Sequence, residues 1–274
     1  MKMKSRLPKD GRYSEVRQIV DNMHLNTICT SGNCPNIGEC WSAGTATFMI
    51  LGEICTRSCK FCGVKTGKPL DIDWQEPTRV AESIKTMGIK HAVITSVDRD
   101  DLDDKGTDIW VKTIDEIKRI NPGVTMETLI PDFDGIPGLI DKIIHAGPEV
   151  ISHNLETVER LSKKVRSRAK YELSLDVIRQ ISDSELISKS GIMLGLGETR
   201  DEILETMDDL IEAGCQVFTL GQYMQPTRDH MPVEEWISPE IFEEYRKIGL
   251  SKGFRHVESN PLVRSSYHAE KHIK

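Results

Sequence analysis

Six short apolar runs with helical patterns between them restrict this sequence to a narrow set of folds. The runs occupy residues 47–51, 91–95, 124–129, 149–152, 190–194 and 216–220. Between residues 201 and 213, Ile203, Leu204, Met207, Leu210 and Ile211 fall on one face of a helix. Residues 107–120 and 137–145 repeat that pattern. Strand then helix, repeated about six times, builds a parallel sheet with outer helices. The expected class is α/β, a partial (β/α)6 TIM-like barrel, with an open doubly wound sheet as runner-up. A chain of 274 residues can bury such a core. By role it divides into an N-terminal cysteine-bearing segment, 1–44, a barrel, 45–238, and a C-terminal helix and tail, 239–274.

Composition narrows the function classes. The 38% hydrophobic and 29% charged residues read as a soluble globular chain. A net charge of −7 argues against nucleic acid, which calls for a basic footprint. No apolar run is long enough to span a membrane. The first residues are polar and basic, without the apolar stretch of a secretory leader. The expected compartment is the cytoplasm, where clustered thiols bind metal or do redox chemistry.

Six of the seven cysteines lie between Cys29 and Cys62. Cys55, Cys59 and Cys62 form Cys-x3-Cys-x2-Cys directly after the first strand run, at the end where parallel α/β barrels place their chemistry. Three thiolates on one loop can hold three corners of a four-iron cluster and leave one iron open. A structural zinc site, which prefers four ligands often arranged as two Cys-x2-Cys pairs, fits this spacing less well. Cys29, Cys34 and Cys40 form Cys-x4-Cys-x5-Cys on a segment with the turn formers Gly32, Asn33, Pro35 and Gly38. A zinc loop or buried thiols are the plainer alternatives to a second cluster there.

The first motif, with Phe61 inside it, resembles that of the radical S-adenosylmethionine superfamily. The two motifs in this order resemble the lipoyl synthase family. So do Val93-Ile-Thr-Ser-Val-Asp-Arg-Asp-Asp-Leu102, Ser152-His-Asn-Leu-Glu-Thr-Val158, Val165-Arg-Ser-Arg-Ala-Lys-Tyr171, Gly191-Ile-Met-Leu-Gly-Leu-Gly-Glu-Thr199, Leu220-Gly-Gln-Tyr-Met-Gln-Pro-Thr227 and Arg264-Ser-Ser-Tyr267. The resemblance implies two [4Fe-4S] clusters and S-adenosylmethionine. Cys55, Cys59 and Cys62 would hold the cluster whose open iron binds the cofactor. Cys29, Cys34 and Cys40 would hold an auxiliary cluster that supplies sulfur, with Ser266, rather than Ser265, as its fourth ligand. The implied reaction adds sulfur at C6 and C8 of an octanoyl group on a lysine of a lipoyl carrier domain. That carrier would be a 2-oxoacid dehydrogenase E2 or a glycine-cleavage H protein. The further implied partners are an electron donor such as flavodoxin or ferredoxin and an iron–sulfur cluster carrier.

Other residues admit two readings. Thr95, Ser96 and Arg99 fall where the superfamily contacts the methionine amino group, whereas Asp98, Asp100, Asp101, Asp103 and Asp104 read as a helix cap and a solvated acidic loop. Asn154 and Glu156, past the fourth strand, suit the ribose or carboxylate of the cofactor. Gly195, in the glycine-rich segment 191–198, resembles the adenine-binding stretch. Gln222 and Tyr223 suit cofactor surroundings or core packing equally. Lys163, Lys164, Arg166, Arg168 and Lys170 read as a solvated helix face, with Arg166 as a candidate partner for the methionine carboxylate. Cys215 reads as core, and His24, His91, His145, His230 and His256 as structural. Lys2, Lys4, Arg6, Lys9, Arg12 and Arg17 are candidates for docking an acidic carrier. The competing functions are a biotin-synthase-like sulfur inserter or methylthiolase, and a non-catalytic zinc or electron-transfer module.

Overall fold

A computed structural model describes residues 11–273. They pack as two compact units. One holds the chain up to Arg57 with residues 63–131 and 141–149, and the other holds residues 58–62, 132–140 and 150 onward.

In the first unit α1 (Gly11–Asn22), β1 (Asn26–Thr27), α2 (Ile28–Ser31) and α3 (Ile37–Ser42) precede β2 (Thr47–Ile50). Two short strands, β3 (Ile54–Cys55) and β4 (Lys65–Thr66), pair with each other. Then come α4 (Glu76–Met87), β5 (His91–Ser96), α5 (Thr107–Ile120) and β6 (Thr125–Leu129). β2, β5 and β6 are parallel, with Thr47 opposite Val93 and His91 opposite Thr125. β1 adds to β2 antiparallel, Asn26 opposite Met49. All four residues of β2 are buried, so it reads as a continuous apolar run rather than an alternation. α5 buries Ile109, Trp110, Thr113, Ile114 and Ile117, the stripe its spacing predicts. α4 has Pro77 in its first turn and stops at Gly88, whose φ of 67° is the left-handed cap that ends helices.

After α6 (Pro137–Ala146), the second unit runs β7 (Val150–Ser152), α7 (Glu159–Val165), α8 (Tyr171–Ser182), β8 (Ile187–Leu194), α9 (Arg200–Glu212), β9 (Val217–Gln222), α10 (Pro239–Lys252) and β10 (His256–Ser259). β7, β8, β9 and β10 are parallel in that order; Val150 faces Ile187, Lys189 faces Val217, and Val217 faces His256. β8 begins three residues before its apolar run, because Ser188, Lys189 and Ser190 are polar yet fully buried. β10 has no counterpart among the apolar runs. Two of its four residues, His256 and Glu258, are half-exposed and polar, so nothing in the hydropathy pattern announces it. The α/β class with a parallel sheet is the one the alternation predicts.

The turn that leaves β8 is tied to the start of α9 by a capping box. The Thr199 hydroxyl accepts from the Glu202 N–H, and the Glu202 carboxylate accepts from the Thr199 N–H at 2.7 Å. Arg160 closes on the same carboxylate, and that pairing, ahead of the Thr199 bonds, lowers the Glu202 carboxyl from 4.5 to about 2. Thr199→Ala should cost about 1 kcal/mol of unfolding free energy. A carboxyl lowered on folding stabilises above its unfolded pKa and loses that contribution as pH falls toward the folded value. Urea denaturation should therefore show Glu202→Gln weaker than wild type at pH 7, with the gap closing as pH falls from 4.5 to about 2.

Candidate functional site

In the first unit, the loop carrying Cys55 is built by the way β2 ends. Leu51, buried, has a φ of 69°, a left-handed conformation that a leucine rarely adopts. Its N–H donates to Glu76 Oε2 at 2.7 Å, which holds the turn. Burial pushes the Glu76 carboxyl above its usual range, against the N–H groups of Leu51 and Gly52. Beyond the turn, the Cys55 sulfur accepts from the Arg57 N–H at 3.4 Å and the Asp98 N–H at 3.3 Å. The Arg57 side chain is only 5% exposed and pairs with Asp98 at 3.2 Å and with both oxygens of Asp100. Arg99, also buried, spans Asp101 and the carbonyls of Leu51 and Leu70. Asp104 accepts from the N–H groups of Gly106 and Asp108 at the start of α5. The helix-start reading holds for Asp104 and the solvated reading for exposed Asp103, while for Asp98, Asp100 and Asp101 the solvated-loop reading is corrected. Asp98, Asp100 and Asp101 neutralise buried guanidiniums, a need invisible to any count of local charges. Thr95 donates to the Leu129 carbonyl at 3.2 Å, whereas Ser96 Oγ is buried with no partner among the described residues.

Cys29 sits on α2, Cys34 between α2 and α3, and Cys40 on α3. Thr27 caps α2 by accepting from Thr30 N–H at 3.3 Å. The loop then closes through Cys34 N–H to Cys29 carbonyl, 3.0 Å, and Thr45 N–H to Cys40 carbonyl, 2.9 Å. Cys29 is buried; Cys34 and Cys40 are half-buried. Burial pushes the Cys29 thiol up, Cys34 adds to this, and hydrogen bonds involving Thr47 and Trp41 oppose it. Trp41 is buried and stacks at a tilt on Tyr13 of α1, rings 5.3 Å apart. Arg12 donates to the Met87 carbonyl, and Arg17 faces Asp21. Lys2, Lys4, Arg6 and Lys9 lie outside the described residues.

In the second unit, Cys59 and Cys62 are fastened from two directions. Ser167 Oγ accepts from the Ser58 N–H at 3.1 Å and lies 3.8 Å from the Cys59 sulfur. Lys60 N–H donates to the Val165 carbonyl at 2.8 Å. His230 Nε2 donates to the Cys62 carbonyl at 2.9 Å, its Nδ1 meeting Thr227. The structural reading of His230 fits these bonds, yet neither it nor Ser167, both far away in the chain, carries a local sign of whom it holds.

Past β7, Glu156 has a φ of 68° and bridges to Ile192 of β8. Asn154 Nδ2 reaches both Glu156 at 3.1 Å and Ser265 Oγ at 2.7 Å, while its buried Oδ1 has no partner among the described residues. Burial pushes the Glu156 carboxyl up, and the neighbouring Arg166 opposes it. Arg166 is the buried member of the basic run, donating to Ser174 at 2.8 Å and the Leu155 carbonyl. Lys163, Lys164, Arg168 and Lys170 are exposed, as expected of a solvated face.

Gly195, φ 97°, accepts no side chain: a Cβ there would stand 2.3 Å from Gln222 Nε2 and 2.4 Å from the Glu235 carbonyl. The Gln222 amide is committed to backbone, its nitrogen to Leu194, Tyr223 and Glu235 and its oxygen to Ile237 N–H. Gln222 therefore braces the loop after β8. Tyr223 donates to the Met231 carbonyl at 2.7 Å. Glu198, which the sequence does not single out, ties the same turn by accepting from Gly195 and Leu196 N–H groups. Cys215 is buried, its thiol pushed up to about 12 by desolvation. His256 meets Glu258 and His272, with one ligand atom from each within 4.8 Å of the others. Of the histidines read as structural, only His256 joins such a group among the described residues, through His272, which lies beyond that set.

The radical SAM superfamily matches residues 49–210. Lipoyl synthases of Flavobacterium johnsoniae and Phocaeicola vulgatus are each 61% identical over 99% of this chain, covering 94% and 96% of their own lengths. The mitochondrial lipoyl synthase of Nematostella vectensis is 60% identical over the same share, covering 94% of its length. Among solved structures, methylornithine synthase aligns with a TM-score of 0.56 at 13% identity, over 93% of this chain and 78% of that one. The [FeFe]-hydrogenase maturase HydG gives 0.59 at 14% identity, over 81% of this chain and 52% of that one. At such identities the likeness is one of fold, the partial TIM-like barrel class.

The Arg57 arrangement makes a measurable claim. Removing one counter-ion of a buried guanidinium costs about 3–5 kcal/mol when nothing replaces it. Asp98 remains, so Asp100→Ala should lose about 3 kcal/mol by chemical denaturation. Cys55 in the metal-free protein should also react faster with a thiol reagent. A loss under about 0.5 kcal/mol, typical of surface substitutions, would return Asp100 to the solvated loop.

Proposed function

The chain belongs to the lipoyl synthase family of radical SAM enzymes, and on that premise we propose how its residues divide the work. It inserts sulfur at C6 and C8 of an octanoyl chain held by a lipoyl carrier protein, with a [4Fe-4S] cluster and S-adenosylmethionine as cofactors. The observation that carries this is identity of 61% across 99% of the chain, well beyond what a shared barrel requires.

Cys55, Cys59 and Cys62 are assigned to the cluster that takes S-adenosylmethionine. The donor set supports this: the amides of Arg57 and Asp98 hold the Cys55 sulfur in place, and its thiol meets Asp98 Oδ2 at 3.6 Å. Cys29, Cys34 and Cys40 are assigned to an auxiliary cluster. The local geometry supports this: the segment they share is closed by Cys34 N–H to the Cys29 carbonyl and Thr45 N–H to the Cys40 carbonyl. Ser266 is assigned as its fourth ligand. Ser265 is the poorer choice, its hydroxyl being engaged by Asn154, whereas the Ser266 hydroxyl has no hydrogen bond among the described residues. When bound, these groups supply what side chains lack: a one-electron cleavage giving a radical that removes unactivated hydrogen, and sulfide for the new C–S bonds.

The protein's share is to bind, orient and exclude water. Ser96 Oγ and Asn154 Oδ1, both buried and unpartnered among the described residues, are the polar atoms best suited to the cofactor's amino and ribose groups. Thr95 shapes the strand end beside Ser96, and Arg166 favours the charged form of Glu156. Gly195 and Gln222 enter this set as the shape of the adenine-side loop rather than as hydrogen-bonding groups. By role, residues 1–44 carry the auxiliary thiols, 45–238 the radical chemistry and 239–274 the capping tail. A flavodoxin- or ferredoxin-type donor, a cluster carrier and a cytoplasmic setting complete the reading. They follow from the need for electrons, renewed sulfide and reduced thiols.

The test is anaerobic reconstitution with S-adenosylmethionine, reductant and an octanoylated carrier domain, product masses being read out. Cys59→Ala should abolish 5′-deoxyadenosine, while Cys29→Ala should leave it forming without lipoyl product. Ser266→Cys replaces a poor iron ligand by a better one. It should hold the auxiliary cluster at least as well and slow sulfur transfer while cofactor cleavage persists. Lipoyl product at the wild-type rate from Ser266→Cys, with its cluster intact through turnover, would refute the labile-ligand role.

A further inference from the structure

Lys189 lies inside β8 and is fully buried. An ammonium in that position is costly unless its protons are taken up. Two of its contacts lie on the C-terminal tail: the Ser265 carbonyl at 2.5 Å and His272 Nδ1 at 3.2 Å. The neighbouring strands grip the same tail. Asn154, just past β7, donates to the Ser265 hydroxyl at 2.7 Å. On β9, a Cβ at Gly221 would stand 2.2 Å from the Val263 carbonyl, so only glycine lets the tail lie this close. The approach is led in by Asn260 N–H to the Leu220 carbonyl at 3.2 Å and Gln222 N–H to the Pro261 carbonyl at 3.3 Å.

The His256, Glu258 and His272 group beside this lysine has the residue types of a cation site. The lysine decides against that. For Lys189 to donate, His272 Nδ1 must accept, which places the ring proton on Nε2 and leaves no lone pair for a metal. The cluster is better read as polar surroundings for a buried ammonium.

We propose that Lys189 is a positioning residue for sulfur insertion. With Asn154 and Gly221 it forms a seat that fixes Ser265 by both its carbonyl and its hydroxyl, and so presents the next residue, Ser266, as a ligand. This rests on the assignment of Ser266 to the auxiliary cluster. Ser265 and Ser266 are neighbours in one turn, so holding Ser265 in the seat by its carbonyl and its hydroxyl fixes where Ser266 stands. Tail and ligand are thereby set by a lysine inside β8.

The test uses full-length protein with Cys55, Cys59 and Cys62 replaced by alanine, reconstituted so that one cluster remains. Lys189→Met keeps the length of the side chain and removes its donors. Apolar replacement of a buried charge is often tolerated by the fold. Amide hydrogen exchange across residues 263–267 should rise in Lys189→Met. Iron loss to a chelator should accelerate about tenfold, the worth of a hydrogen bond from a charged group. Ser266→Ala should accelerate iron loss equally, and the double variant should be no faster than either single one. Gly221→Ala, which pushes the tail off from the β9 side, should raise the same exchange and covers the case in which Lys189→Met fails to fold. Unchanged exchange in folded Lys189→Met and in Gly221→Ala, with Ser266→Ala still accelerated, would overturn the seat alone. Unchanged iron loss in Ser266→Ala would overturn the ligand assignment beneath it.

Discussion

A parallel strand buried on both faces has to release its chain abruptly, and the chemistry of this protein hangs on how that is done. β2 is buried along its whole length, and its next residue, Leu51, turns at a positive φ. Backbone strain of this kind costs roughly 1–3 kcal/mol and survives only where surroundings enforce it. Glu76 is part of that enforcement, its carboxylate drawn into the interior to receive the Leu51 amide. The second unit repeats the device independently. Glu156 turns at a positive φ past β7, and Gly195 and Gly197 do so past β8. In each case a side chain closes the turn, Asn154 on Glu156 and Glu198 on the amides of Gly195 and Leu196. The thiols and the candidate cofactor contacts are therefore carried by turns whose shape is set by neighbours rather than by their own preference.

Elements defined by burial are legible in the amino-acid pattern itself. Thr107–Ile120 falls where its spacing puts it, and β2, β5, β6 and β9 lie within two residues of their apolar runs. What escapes has a common physical cause. Ser188 and Lys189 belong to β8 but are polar, and three of the four residues of β10 are polar, so a reading that equates strand with apolar run passes over them. The sheet buries them because their partners lie elsewhere in the fold, and such partners have no local sign in the chain.

The site divides along the same line. Cysteine spacing is a local property, and it reads directly from the chain. Two of the residues that hold the cysteine loops are not local: Ser167 for the Ser58–Cys59 stretch and His230 for the Cys62 carbonyl. Gln222 and Gly195 read as facing a ligand because they sit at strand ends beside residues that do. The Gln222 amide braces the backbone of Leu194, Tyr223, Glu235 and Ile237, and Gly195 leaves no room beside it for a side chain.

Charge is the most misleading signal, and desolvation explains why. A run of aspartates or lysines reads as solvated because an isolated buried charge is prohibitive. That prohibition also guarantees that a charge found inside has been given partners for a reason. Arg57 and Arg99 draw the loop aspartates inward and so stiffen the segment behind Cys55. Arg166 leaves the solvated face of its basic run to stand beside Glu156. Lys189 reaches the tail from the middle of a strand. Each converts an unfavourable transfer into a fixed distance between two parts of the chain. A radical enzyme has particular use for fixed distances, since an unactivated carbon offers no polar group by which the reacting atoms could be held, and positioning must come from the scaffold itself.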